Sequence, residues 1–122
     1  MVKGNLRKKI EKEFLYELIV FCASIVAISL LYKNNLLLTL LLIAFWGICL
    51  KLWHTKRDFF FFVSGAIIGP VAEIIAIYFG AWHYTNPTQL GIPIWLPLAW
   101  GIFTVMIVRI ADTFAKFWGI KW

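Results

Sequence analysis

Four apolar stretches, each close to twenty residues long and parted only by short polar breaks, set the strongest constraint on what this chain can fold into. Hydrocarbon offers no partner to a backbone N–H or C=O, so a stretch of that length crosses a bilayer as a helix with its bonds satisfied internally. The first span is expected from about Phe14 to Tyr32, where Lys33, Asn34 and Asn35 make a polar turn. The second follows from Leu36 to about Trp53, and His54 to Asp58 form a charged connection. A third opens with four phenylalanines and runs from Phe59 to about Trp82; a fourth runs from about Ile94 to Phe114 after a loop rich in Pro and Gly. With 62% hydrophobic and 15% charged residues in 122, a water-soluble fold could not hide this surface. The expected fold class is therefore all-α, a polytopic membrane protein of four transmembrane helices forming a single membrane domain over residues 1–122. No small-residue cleavage site follows the first apolar run, so we expect an uncleaved first span.

Orientation follows from Lys and Arg near the span ends, because cytoplasmic loops carry the excess. Five lie before the first span (Lys3, Arg7, Lys8, Lys9, Lys12), three around the second break (Lys51, Lys56, Arg57) and three at the other terminus (Arg109, Lys116, Lys121). The opposite side has Lys33 alone. Both termini are thus expected in the cytoplasm of a multi-pass cell-membrane protein. Anionic lipid headgroups are partner enough for the net charge of +6, with no nucleic acid implied. Trp53, Trp82, Tyr84, Trp95, Trp118 and Trp122 suit interfacial belts. Cys22 and Cys49 lie in apolar runs and read as small packing residues.

One carboxylate interrupts this pattern. Glu73 lies fourteen residues past Phe59, ~21 Å along a helix and in the outer half of the membrane, where a charge costs ~2.5 kcal/mol or more and marks function. On a helical projection Ala66, Gly69, Gly80 and Tyr84 fall within about 40° of it, a face of small residues that lets a helix or flat ligand approach closely. Pro70 removes a backbone donor beside it. Trp95 and Trp100 open the fourth span, and Trp100 comes level with Glu73 if the last two spans pack antiparallel. His83 sits just above, at the outer interface. The alternative use of such a carboxyl is as packing glue, hydrogen-bonded to a neighbouring helix.

Nearer the cytoplasmic boundary, Glu17, Lys51, Arg109 and Asp112 share a depth and are expected to neutralise one another in a structural ionic layer with snorkelling side chains, or to hold an anionic headgroup. Metal is not expected, since His54 and His83 lie on opposite sides and no Cys/His spacing fits zinc. Neither a phosphate-binding glycine loop, a hydrolase elbow nor a redox pair is present, and no cofactor is expected.

The segment with Gly69, Glu73, Phe79-Gly80-Ala81-Trp82-His83-Tyr84, Gly91-Ile92-Pro93 and Pro97-Leu98-Ala99-Trp100 resembles part of the carotenoid hydratase family of membrane proteins, over about a quarter of the chain. Family members are longer, with more spans, and Trp82 stands here where tyrosine is usual. The resemblance implies addition of water to a terminal isoprenoid double bond, a lyase reaction, with Glu73 as the acid. A carboxyl in hydrocarbon favours its neutral form, and Trp82, Tyr84, Trp95 and Trp100 could face a carbocation. Three functions stay open from the residues: a protein binding or modifying an isoprenoid- or carotenoid-like lipid through Glu73, with Gly69, Gly80, Trp82, His83, Tyr84, Trp95 and Trp100 around the ligand; a transporter or channel subunit, which requires a homo-oligomer; and a structural assembly protein.

Overall fold

The computed structural model describes residues 4–53 and 55–120. Lys3, His54, Lys121 and Trp122, which enter the charge, metal and aromatic arguments above, lie outside the described residues. The rest forms four helices, α1 (Gly4–Leu31), α2 (Asn35–Leu52), α3 (Lys56–Tyr78) and α4 (Leu96–Phe117). Each is long and apolar enough to cross a membrane, the arrangement of an all-helical integral membrane protein.

The helix ends differ from the expected spans for local reasons. α1 begins ten residues before Phe14, because the charged segment continues the helix: Arg7 pairs with Glu11 one turn on at 3.2 Å, and Ile10 between them is buried. α2 starts where the Asn34 side chain accepts from the Leu37 N–H at 3.1 Å. Thr55 and Asp58 cap the first turn of α3 reciprocally, each side chain accepting from the other's backbone N–H.

α3 stops at Tyr78, four residues short of Trp82. Gly80 takes a left-handed φ of 83°, its N–H bonds the Ile77 carbonyl and the Ala81 N–H bonds the Ala76 carbonyl, the paired bonds of a Schellman turn. The loop then makes a tight reversal at Leu90 and Gly91, both with positive φ, between Gln89 and Ile92. Pro97 lies in the first turn of α4, where its missing N–H costs nothing.

α4 is the hub, approached by α1, α2 and α3, whereas the α3 backbone approaches α4 alone. Ile102, Val105 and Met106 of α4 pack with Leu38 and Leu42 of α2 in the buried core. The α3–α4 seam is closed by glycine: a Cβ at Gly65 would meet Thr104, one at Gly69 the Trp100 ring, and one at Gly101 the Phe62 ring, all within 3 Å. Outward faces carry exposed Leu30, Leu36, Phe60, Ile68 and Ile107, a surface matched to lipid rather than water.

Candidate functional site

Glu73 stands one turn beyond Gly69 on α3. Because Gly69 has no side chain, the Trp100 indole of α4 lies against the α3 backbone, and its Nε1–H donates to Glu73 Oε2 at 2.5 Å. From the other side the loop after α3 folds back, and the Tyr84 hydroxyl donates to Glu73 Oε1 at 2.5 Å. The partly buried carboxyl therefore accepts one donor on each oxygen, from two different segments. Charge-assisted bonds of this kind are about twice as strong as neutral ones.

Tyr84 does not reach Glu73 along a continuous helix, as the projection assumed. The turn at Gly80 breaks the helix and brings the phenol back. Trp95, buried under the loop, supports the Tyr84 ring edge to face at 6.1 Å between centroids, and its own indole N–H donates to Asn35 Oδ1 at 3.2 Å. Asn35 also donates to the Asn86 carbonyl and to Thr88, and Asn86 donates to the Lys33 carbonyl, which fastens the loop to the turn between α1 and α2.

The other face of Tyr84 opens on a cleft of about 430 Å³, shared with His83, Asn86 and Trp95 of the loop, Ile28 of α1 and Tyr32 of the turn after it. Glu73 is not among its lining residues; the phenol stands between the two. Burial, and then the bond to Glu73 and its charge, hold the Tyr84 phenol above its ordinary value of 10.0. The folded protein thus grips this proton harder than the unfolded chain. Stability owed to it is fully present below pH 10 and is lost as pH rises through the higher folded value. In an alkaline titration of tyrosinate absorbance, Tyr84→Phe should remove a late-ionising component.

Two residues expected on the ligand face are not among the donors to Glu73. Gly80 is the helix-terminating residue, and a Cβ there would meet nothing within 4 Å, so its left-handed backbone rather than close packing calls for glycine. Trp82 is 47% exposed and hydrogen-bonds nothing at Glu73 among the described residues, consistent with an interfacial anchor. His83 joins the cleft, not the carboxyl.

The inner polar residues pair differently from the expected layer. Arg109 donates Nε–H to Asp58 Oδ1 at 2.8 Å and a second N–H to Asp58 Oδ2, with Glu13 at 3.7 Å and the Trp53 ring 5.0 Å from the guanidinium carbon. Glu17, fully buried, accepts the Thr113 hydroxyl at 2.6 Å. Asp112 lies 3.9 Å from Arg57 and 3.7 Å from Lys116. Lys51 is exposed and takes part in none of these pairs. Every buried side-chain N or O among the described residues has a partner, those of this layer included. No three His, Cys, Asp or Glu side chains among the described residues are grouped as metal ligands would be.

Sequence reasoning passed over Asp58, Thr113, Asn35 and Gly65. A usable signal existed for two of them: Thr55-x-x-Asp58 is a capping spacing, and Gly65-x-x-x-Gly69 is a close-packing spacing. Compared with protein families, with curated proteins and with solved structures, the chain matches none.

Proposed function

We propose that this is a multi-pass protein of the cell membrane, both termini cytoplasmic, that binds an isoprenoid- or carotenoid-like lipid in the outer cleft with the ligand's polar end at Tyr84. The observation that carries this reading is the position of one phenol. Its hydroxyl is fixed by the intramembrane Glu73 at 2.5 Å while its ring lines an open cleft with apolar Ile28 and Trp95 and polar Ser29 and Asn86. The resemblance to carotenoid hydratases around Glu73 adds to it, and the lysine and arginine distribution supports the orientation. Binding is favoured over turnover, since Glu73 would have to release Tyr84 or Trp100 before it could hand a proton to an alkene.

A second reading rests on those same two bonds: Glu73 as a clamp holding the loop and α4 to α3. One experiment separates them. Lipids extracted with the purified protein are identified by mass spectrometry for the native chain, Tyr84→Phe and Glu73→Gln. Binding requires a stoichiometric polyisoprenoid in the native protein and a loss of roughly tenfold in Tyr84→Phe, the equivalent of one hydrogen bond. Extracts holding only bulk phospholipid, with Glu73→Gln merely less heat-stable, would leave the clamp.

A further inference from the structure

The end of the bundle that holds both termini carries another cleft, remote from Glu73, between the first turns of α1 and the last turn of α4. We infer that it holds the headgroup and first acyl methylenes of one anionic phospholipid. Its volume is about 350 Å³, and its wall is divided by chemistry. Leu6, Ile10 and Ile120 make the apolar part, and Lys9 of α1 and Lys116 of α4 bring two ammonium groups from different helices. Glu13 also lines it, but its carboxylate is engaged by Arg109 at 3.7 Å. Lys116 stands 3.7 Å from Asp112 in a half-exposed pair one turn apart, a contact too weak to withhold it from a phosphate.

The apolar wall is built into the fold rather than left by a fraying end. Gly119 adopts a left-handed φ of 71°, its N–H bonds the Lys116 carbonyl, and the Ile120 N–H returns to the Ala115 carbonyl at 2.9 Å, which turns Ile120 back across the cleft. Arg7 lies 5.9 Å from the Phe117 ring centroid and joins the same two helix ends. Cations beside hydrocarbon match a phosphodiester carried on acyl chains, whereas free phosphate would face apolar side chains over much of the wall. This site stands whether or not the outer cleft binds an isoprenoid.

The test is native mass spectrometry of the full chain in detergent, titrated with phosphatidylglycerol, with phosphatidylcholine of the same acyl chains, and with glycerol 3-phosphate. One phosphatidylglycerol should be retained in preference to the other two. At about 1 kcal/mol per lysine near the surface, Lys9→Gln with Lys116→Gln should weaken it roughly 30-fold. Lys8→Gln with Lys12→Gln removes the same charge outside the cleft and should change affinity by less than about threefold. Ile120→Asp, at an exposed position, should also weaken retention by setting a carboxylate in the apolar wall. Equal losses in the two double variants, equal retention of phosphatidylcholine, or glycerol 3-phosphate binding as tightly as the lipid would each overturn the site.

Discussion

Arg109→Met should destabilise the folded protein by about 3–5 kcal/mol, measured as unfolding in detergent micelles against the native chain. The size comes from what is left behind. Asp58 is 4% exposed, its carboxylate receives two N–H bonds from this guanidinium, and among the described residues the only other side chain donating to it is Thr55 at 2.6 Å. Methionine fills the arginine stem's volume, so the loss reports an uncompensated buried charge rather than a cavity. The pair is asymmetric. Arg109 has Glu13 as a second carboxylate and Trp53 beneath it, whereas Asp58 has one cation among the described residues. Asp58→Asn alone should therefore cost about 2 kcal/mol or less, and adding it to Arg109→Met should recover part of the loss, because the orphaned charge is gone. A double variant as unstable as the sum of its parts would show that the two side chains are not coupled.

This pair also marks the boundary of what the sequence could tell. Depth along each helix is a one-dimensional quantity, and rise per residue correctly put Trp100 beside Glu73 once α3 and α4 were taken as antiparallel neighbours. Depth does not say which helices touch. Shared depth groups Arg109 with Glu17, Lys51 and Asp112, while the fold sets α3 against α4 so closely that Asp58, which reads as part of a polar break, becomes the first turn of α3 and the partner of Arg109. Lys51 shares that depth but is exposed.

The four helices were legible because bilayer thickness fixes length and composition together, and each apolar run is long enough to reveal itself. Their ends were less so, since an interfacial helix can carry charge. α1 therefore extends back to Gly4 through residues read as a tail. At the end of α3 the error was of another kind. A uniform helical projection put Gly80 and Tyr84 on the Glu73 face, yet glycine at that position ends the helix, and Tyr84 reaches the carboxyl only because the chain turns back. Spacing and depth put Tyr84 and Trp100 near the carboxyl as aromatic neighbours, but not as its donors, and the path that delivers Tyr84 depends on a backbone torsion that spacing does not encode.

The seam that positions Trp100 should be the least tolerant place in the molecule. Gly69→Ala adds one methyl, which would lie 2.1 Å from Trp100 Cδ2 and 2.3 Å from Cγ. These are atoms of a rigid ring, so no flexible end can yield; either the indole swings away or α3 lifts from α4. α3 has no other helix whose backbone it approaches, so lifting it loosens the whole element. Swinging the ring breaks the Nε1–H bond to Glu73 and leaves one carboxylate oxygen without its donor. Overpacking costs about 1–3 kcal/mol and a lost charge-assisted bond about 1.5–3, so Gly69→Ala should cost about 3 kcal/mol or more in micelle unfolding. Gly47→Ala, where a methyl would meet nothing within 4 Å, is the matched control and should be neutral or slightly stabilising as a helix-favouring change. Because the clash is with one side chain, Trp100→Leu in the Gly69→Ala background should destabilise far less than it does alone. Additive losses would mean that the glycine serves helix geometry rather than the indole, and the route by which α4 delivers its donor to Glu73 would need another basis.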